Sequence, residues 1–335
     1  MTLRGAAWAL LAILPGGCAG AQNALGGEGA EGSNFVQLFT VFMIVCAVMY
    51  VLITAGLLIA LWRRRQPLTV EDRRHHETSS AIRPALIGWT ALVVAGLTAL
   101  TVASFFTDRS NAANSASPKL SLTVTANQWW WDVEYQSADA SRTVHTANEI
   151  HLPVGVPAQV TLKSNDVIHS LWIPNLAGKQ DLIPGRVTDI QFVPRKTGNY
   201  RGQCAEFCGI QHTLMALDVT VESKADFQRW YEAQLKPAPP PATPQQLAGY
   251  RYFATRECSS CHNIGGTPAS GQIAPDLTHF ASRRSIAAGT LPMTRANLAR
   301  WVADPQAVKK GNNMPTIGMT DAEVDSVVSY LETLK

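Results

Sequence analysis

Two short stretches of the chain hold most of its candidate metal ligands. Cys258-Ser-Ser-Cys261-His262 has the spacing at which two thiols add covalently to porphyrin vinyl groups and the adjacent imidazole is placed under the iron. A chance CxxC of redox or zinc type would want a thioredoxin-like βαβ pattern or a second CxxC, and the sequence has neither. The other face of such a haem needs its own ligand, and Met293, Met314 and Met319 all follow the motif. Met314 in KKGNNMP is the preferred candidate, because Gly, Asn and Pro set an irregular loop that can present a thioether. Met293 in TLPMT is second, Met319 falls just ahead of the last helix, and core filling is the commoner fate of any methionine. A His/Met pair leaves no open coordination position, which suits electron transfer rather than O2 binding.

The second stretch is Cys204-Ala-Glu-Phe-Cys208-Gly-Ile-Gln-His212-Thr-Leu-Met215, with His169 upstream in VIHSLWIP. A single-copper electron-transfer site uses one Cys, two His and a weak Met. A second thiolate four residues away allows both sulfurs to bridge two copper ions and share one unpaired electron between them. Cys2His2 is also a zinc set, and two exported cysteines could form a disulfide or deliver copper to another protein. Ligand order favours copper: the soft Met215 follows His212 on one loop, and the distant His169 ends a strand, as in a copper-binding barrel.

These ligands need elements to position them. Lys+Arg 28 against Asp+Glu 25 gives a net charge of +3, which excludes a chain-wide polyanion-binding surface and with it a nucleic-acid partner. Residues 1–18 read as a leader: Arg4, an apolar run too short to span a bilayer, then PGGCAG, where Cys18 is either a lipoprotein acylation site or part of an ordinary cleaved signal. Apolar stretches 35–62 and 85–106 are each long enough to cross a hydrocarbon core of about 30 Å, with Trp62 and Trp89 near the interfaces. The connector 63–84 carries Arg63, Arg64, Arg65, Arg73, Arg74 and Arg83 and belongs in the cytoplasm, so both flanks lie outside. Residues 118–235 alternate with period two in LSLTVTA, PAQVTLKS and VTDIQFVP, which predicts a β-sandwich or barrel. The proline-rich 236–244 reads as a semi-rigid extended spacer. Beyond it, 245–335 is a small helical domain, with a Thr320-x-x-Glu323 capping box opening its last helix.

HSLWIPNLAGKQDLIPGR (169–186), YRGQCAEFCGIQHTLMAL (200–217) and QWWWDVEY (128–135) resemble the binuclear-copper (CuA) domain of cytochrome c oxidase subunit 2, and the helix hairpin matches that subunit's anchor. Residues 245–335 resemble a class I cytochrome c domain, so the whole chain is similar to the fused subunit 2 of bacterial caa-type haem-copper oxidases. The resemblance implies a multidomain membrane protein: a two-helix transmembrane hairpin, an all-β cupredoxin-like domain and an all-α cytochrome c domain. It implies copper ligands His169, Cys204, Cys208, His212, Met215 and the Glu206 main-chain carbonyl, with the Glu206 carboxylate helping subunit 1 to hold magnesium. It also implies haem c on Cys258, Cys261, His262 and Met314, electrons entering the copper domain at Trp129, and Glu77 at the mouth of a proton path. Strand alternation puts at least one of Trp129, Trp130 and Trp131 on the surface, and most such tryptophans are packing residues. Glu77 has a plainer reading as a solvated loop residue, and Arg83 before Pro84 departs from the family pattern. The implied setting is a bacterial plasma membrane with the head outside, beside oxidase subunit 1 and other subunits, fed by a soluble or membrane-bound cytochrome c. The equivalent subunit of a copper-containing nitric oxide reductase is the close alternative, and a membrane copper-delivery protein the more distant one.

Overall fold

The computed structural model describes residues 20–64, 82–114 and 120–335. Helices α1 (Ala30–Arg64) and α2 (Ile82–Asn114) contain windows of mean hydropathy 2.7 and 2.0, and by length and composition both can cross a membrane. Each extends past the apolar stretch that hydropathy marks, because nothing breaks the helix where the polar residues begin. Pro84 lies in the first turn of α2, where a missing N–H is tolerated. The ends of the pair are tied by Asn34 Nδ2, which donates to Asn111 Oδ1 at 2.6 Å. Cys18, Glu77 and the arginines 65, 73 and 74 lie outside the described residues.

The head begins with ten strands: β1 (Leu120–Asn127), β2 (Trp130–Tyr135), β3 (Val144–Ala147), β4 (Glu149–Pro153), β5 (Ala158–Ser164), β6 (His169–Trp172), β7 (Gln180–Leu182), β8 (Thr188–Phe192), β9 (Gly198–Cys204) and β10 (Ala216–Glu222). They form two five-stranded sheets, ordered β3-β2-β1-β5-β8 and β4-β10-β9-β6-β7. Alternation drives the arrangement: in β2 and β5 every second side chain is buried, so each strand gives one face to a shared core. That core holds Trp131, Tyr135, Leu162 and Phe192, and helix α3 (Lys224–Gln234) closes it with Phe227 and Trp230. A strap ahead of α1 is hydrogen-bonded onto the same lobe. Asn175 O accepts from Glu28 N (3.0 Å) and Gly29 N (3.2 Å), while Arg195 N donates to Glu28 O (2.7 Å) and Arg201 N to Ala21 O (2.9 Å).

The helical lobe comprises α4 (Pro244–Thr255), α5 (Cys258–Cys261), α6 (Arg295–Ala303), α7 (Pro305–Val308) and α8 (Asp321–Leu331), with a small ribbon of β11 (Ser285–Ile286) and β12 (Leu291–Pro292). Capping boxes start α4 (Thr243 with Gln246) and α8 (Thr320 with Glu323). Helices α4 and α8 cross closely: a Cβ on Gly249 would lie 2.0 Å from Ser326 O, so only glycine fits there. Between the lobes, the proline-rich stretch does not hold them apart. Ala238 N bonds Gly265 O (2.9 Å), and the two lobes pack on each other through main-chain and side-chain bonds described below.

Candidate functional site

Strands β6 and β9 pair antiparallel with Leu171 opposite Cys204, which brings His169 beside the end of β9. The loop from β9 to β10 then turns through a 3-10 segment, His212–Leu214, and returns Met215 beneath the cysteines. Cys204 Sγ lies 3.8 Å from His169 Nδ1 and 3.7 Å from Cys208 Sγ; Cys208 Sγ lies 3.6 Å from His212 Nδ1 and 3.9 Å from Met215 Sδ. The Glu206 carbonyl sits 3.3 Å from Cys204 Sγ. The result is a row of imidazole, thiol, thiol, imidazole. His169, Cys204 and Cys208 bring their donor atoms within 4.8 Å of one another, while His212 stands just outside that tight group. Both cysteines are free, and their separation is far beyond a disulfide bond of about 2.05 Å.

The surroundings prepare these donors. The hydrogen bond from Cys208, helped by His169, pulls Cys204 down to about 3 against its burial, while the same contact and desolvation push Cys208 up. Burial disfavours His169 protonation, but bonds to Cys204 and Asp166 outweigh it and raise its pKa. Asp166 Oδ1, 2.8 Å from His169 Nε2, accepts the ring proton there and frees Nδ1 for a metal. Sequence reading missed Asp166, although its place three residues before His169 offered a signal. As a donor set, two thiols, two imidazoles, a thioether and a carbonyl are softer and more numerous than the four ligands of structural zinc, and fit copper. The Glu206 carboxylate points away from this set and pairs with Lys179 Nζ at 3.2 Å.

The second site is a cavity, partly open to solvent, whose wall includes Cys258, Cys261, His262 and Met314 with Phe253, Leu298 and Trp301. His262 Nδ1 donates to Pro275 O (2.7 Å), which fixes the tautomer and leaves Nε2 as the ligating nitrogen. Burial keeps its pKa low, so the ring is held neutral. Of the three methionines weighed from sequence, only Met314 lines the cavity; Met293 and Met319 pack on the apolar core. Its loop is knit by Asn312 Oδ1, which accepts from Met314 N (2.8 Å), and by Gln306 Nε2, which donates to Met314 O (2.8 Å). Arg283 on the cavity wall is already engaged on its far side: its Nε lies 3.7 Å from Glu149 Oε1 and its Nη2 donates to Asp276 O (2.6 Å). Apolar walls, paired thiols and a neutral imidazole fit a haem.

Residues 136–223 match the family described as cytochrome C oxidase subunit II, periplasmic domain, and residues 246–335 match cytochrome c. The chain carries a cytochrome c oxidase subunit II domain and a cytochrome c domain. Cytochrome c oxidase subunit 2 of Alkalihalophilus pseudofirmus is 29% identical over 325 residues, covering 95% of this chain and 93% of that one. The protein of the same name from Bacillus sp. PS3 is 32% identical over 226 residues, 64% of this chain and 62% of that one. Among solved structures, the periplasmic domain of subunit II from Bradyrhizobium japonicum is 28% identical with a TM-score of 0.34, covering 36% of this chain and 96% of that one. A subunit-2 membrane protein with a periplasmic domain, copper and haem c is the description these findings support. The fold class expected from sequence, an apolar helix pair, a β domain and a helical cytochrome c domain, is the one found.

Trp129 stands where the subunit II domain meets the cytochrome c domain. Its Nε1 donates to Cys208 O at 2.9 Å, and its side chain lines the haem-type cavity. Gly209, at φ +114°, leaves room for it: a Cβ there would lie 3.0 Å from Trp129 Cζ2. None of the three tryptophans is exposed, contrary to the strand-alternation argument, because the cytochrome c domain covers Trp129 and Trp130 while Trp131 fills the sandwich core. Two buried cations reach across this boundary. Arg283 lies 3.7 Å from Glu149 Oε1, and Lys309 Nζ donates to Trp129 O (2.9 Å) and Leu214 O (2.9 Å). No local sequence pattern marks either, since their partners are far away along the chain.

Proposed function

We propose that the chain is the electron-accepting subunit of a terminal oxidase. Cys258, Cys261, His262 and Met314 would hold a haem c, which would supply one-electron acceptance from a soluble or membrane-bound cytochrome c, and His169, Cys204, Glu206 O, Cys208, His212 and Met215 would hold a binuclear copper pair, which would supply the onward electron path to subunit 1 for O2 reduction coupled to proton translocation. One observation carries this reading: the Trp129 ring belongs to the cavity wall and bonds the main chain of Cys208.

The residues divide the work. Pro275 O and Asp166 hold His262 and His169 in the tautomers that offer a lone pair inward. Trp129 excludes water between the two sites and offers an aromatic crossing point. On the sandwich surface, the Glu206 carboxylate would exchange Lys179 for a magnesium shared with subunit 1, and Glu77 would feed protons from the cytoplasmic loop. The hairpin anchors the head on the outer side of a bacterial plasma membrane, with Cys18 as a candidate acylation site.

Metal analysis and the oxidised EPR spectrum test the copper assignment: two copper ions per chain with a delocalised electron are expected. One copper with ordinary hyperfine splitting, or stoichiometric zinc, would sink it. Trp129→Ala is expected to slow flash-induced haem-to-copper transfer with both metal contents unchanged; an unaltered rate would send the electron by another route.

A further inference from the structure

Lys309 follows directly on α7, at the start of the loop that carries Met314, yet its side chain is 2% exposed. Its ammonium donates to three main-chain carbonyls: Trp129 O at 2.9 Å, Leu214 O at 2.9 Å and Ala287 O at 3.2 Å. Three acceptors match the three N–H bonds of an ammonium. No carboxylate lies within ion-pair distance among the described residues, so the charge is compensated by carbonyl dipoles alone. Burial draws the group down to about 7, with Cys208 pulling the other way, and the carbonyls favour its protonated form. A lysine placed so expensively costs stability unless its geometry matters.

The three carbonyls belong to three different pieces. Trp129 is the aromatic residue between the sites, Leu214 lies in the ligand loop between His212 and Met215, and Ala287 is part of the cavity wall on the turn after β11. We propose that Lys309 is a positioning residue for electron transfer, whose ammonium clamps the Trp129 main chain, the copper-ligand loop and the haem-cavity wall into one fixed arrangement. Neighbouring bonds set the same registration: Ala216 N to Ala288 O (3.0 Å), Gln211 Nε2 to Lys310 O (2.7 Å) and Arg201 Nη1 to Gly289 O (3.0 Å). The cytochrome c domain thereby works docked, not swinging on its proline-rich connection. The step such an arrangement would serve is a one-electron transfer from a haem in the cavity to copper on the ligand loop, with no bond made or broken.

This inference rests on the function proposed above, and the test separates the two. In the full-length, metal-loaded protein, Lys309→Met keeps the length of the side chain and removes its donors. Haem-to-copper transfer is expected to slow about tenfold, since small misplacements of a geometry-dependent step are costly, with copper and haem content unchanged. Lys309→Gln, which keeps an N–H donor, is expected to recover part of the rate and serves as the second variant if Lys309→Met does not fold. Independently of turnover, hydrogen exchange at the Ala216 amide is expected to quicken in both variants, because its acceptor sits on the other lobe. A loaded, folded variant with the parental rate overturns the clamp, as does a broad haem-to-copper distance distribution by pulsed EPR in the unsubstituted protein. If the unsubstituted protein shows no haem-to-copper transfer at all, it is the function itself that fails.

Discussion

The two candidate sites handle their ligands in opposite ways. Cys204, Cys208 and Met215 are members of the continuous sandwich core, packed with Trp131, Leu171 and Leu217, and their donor atoms already contact one another. Cys258, Cys261, His262 and Met314 instead line a cavity, and the apolar residues of the helical lobe, such as Phe253, Leu298 and Val327, are arranged around it. In the first lobe the ligands are core residues that also bind a metal. In the second, the ligands border a cavity beside the lobe's own apolar core, which includes Val328, Tyr330 and Leu334, and a bound haem would extend that core. The lesson is that one chain can build one site within an apolar core and another along the wall of a cavity.

The strongest way to break that contrast is to prevent each cofactor from binding. Cys258→Ala with Cys261→Ala is expected to abolish cooperative unfolding of the helical lobe, followed by its helical circular dichroism. Cys204→Ser with Cys208→Ser is expected to remove copper yet leave the sandwich transition in place. Comparable losses in both lobes would show that the distinction is wrong.

A smaller effect sharpens the sandwich side. His151 is stacked on Trp230 with ring centroids 4.1 Å apart, and lies between Glu222 (2.9 Å) and Glu149 (3.6 Å). Burial lowers its pKa, but bonds to the two carboxylates outweigh burial and raise it from 6.5 to about 9. A histidine raised in the folded state contributes stability in full below its unfolded value. That contribution is lost as pH rises from 6.5 through about 9, and amounts to at most about 3 kcal/mol. Urea midpoints of the sandwich transition should fall across that window, and His151→Gln should flatten the dependence. The smallest effect lies on the helical side: Thr320→Ala removes the α8 cap and is expected to cost about 1 kcal/mol in that lobe's transition alone.

Local chemistry was readable from the chain, and relations between distant segments were not. Cys204 through Met215 and Cys258 through His262 are short runs whose ligand types and order stand in the sequence, where the family resemblance could be read from them, and the alternation in β1, β5 and β8 was visible as LSLTVTA, PAQVTLKS and VTDIQFVP. Hydropathy could not show where α1 and α2 end, since it registers apolar surface and not helix continuity. The sequence carries no signal for Lys309, because its acceptors, Trp129 and Leu214, are supplied by the other lobe. At least one of Trp129, Trp130 and Trp131 read as surface for the same reason: a strand pattern reports which face a residue takes, and says nothing of a second domain laid on that face.

The strap ahead of α1 bears on how the chain threads the bilayer. Ala21 and Glu28 come before the first long apolar helix, and their main-chain partners Asn175, Arg195 and Arg201 come after the second. Backbone hydrogen bonds cannot form across a lipid barrier. An odd number of crossings between Gly29 and Leu120 would strand the two halves of these bonds in different compartments, whereas an even number reunites them. The strap therefore acts as a parity check on insertion: it is made first, waits for β9, and can be satisfied only when the hairpin has returned the chain to the side from which it started.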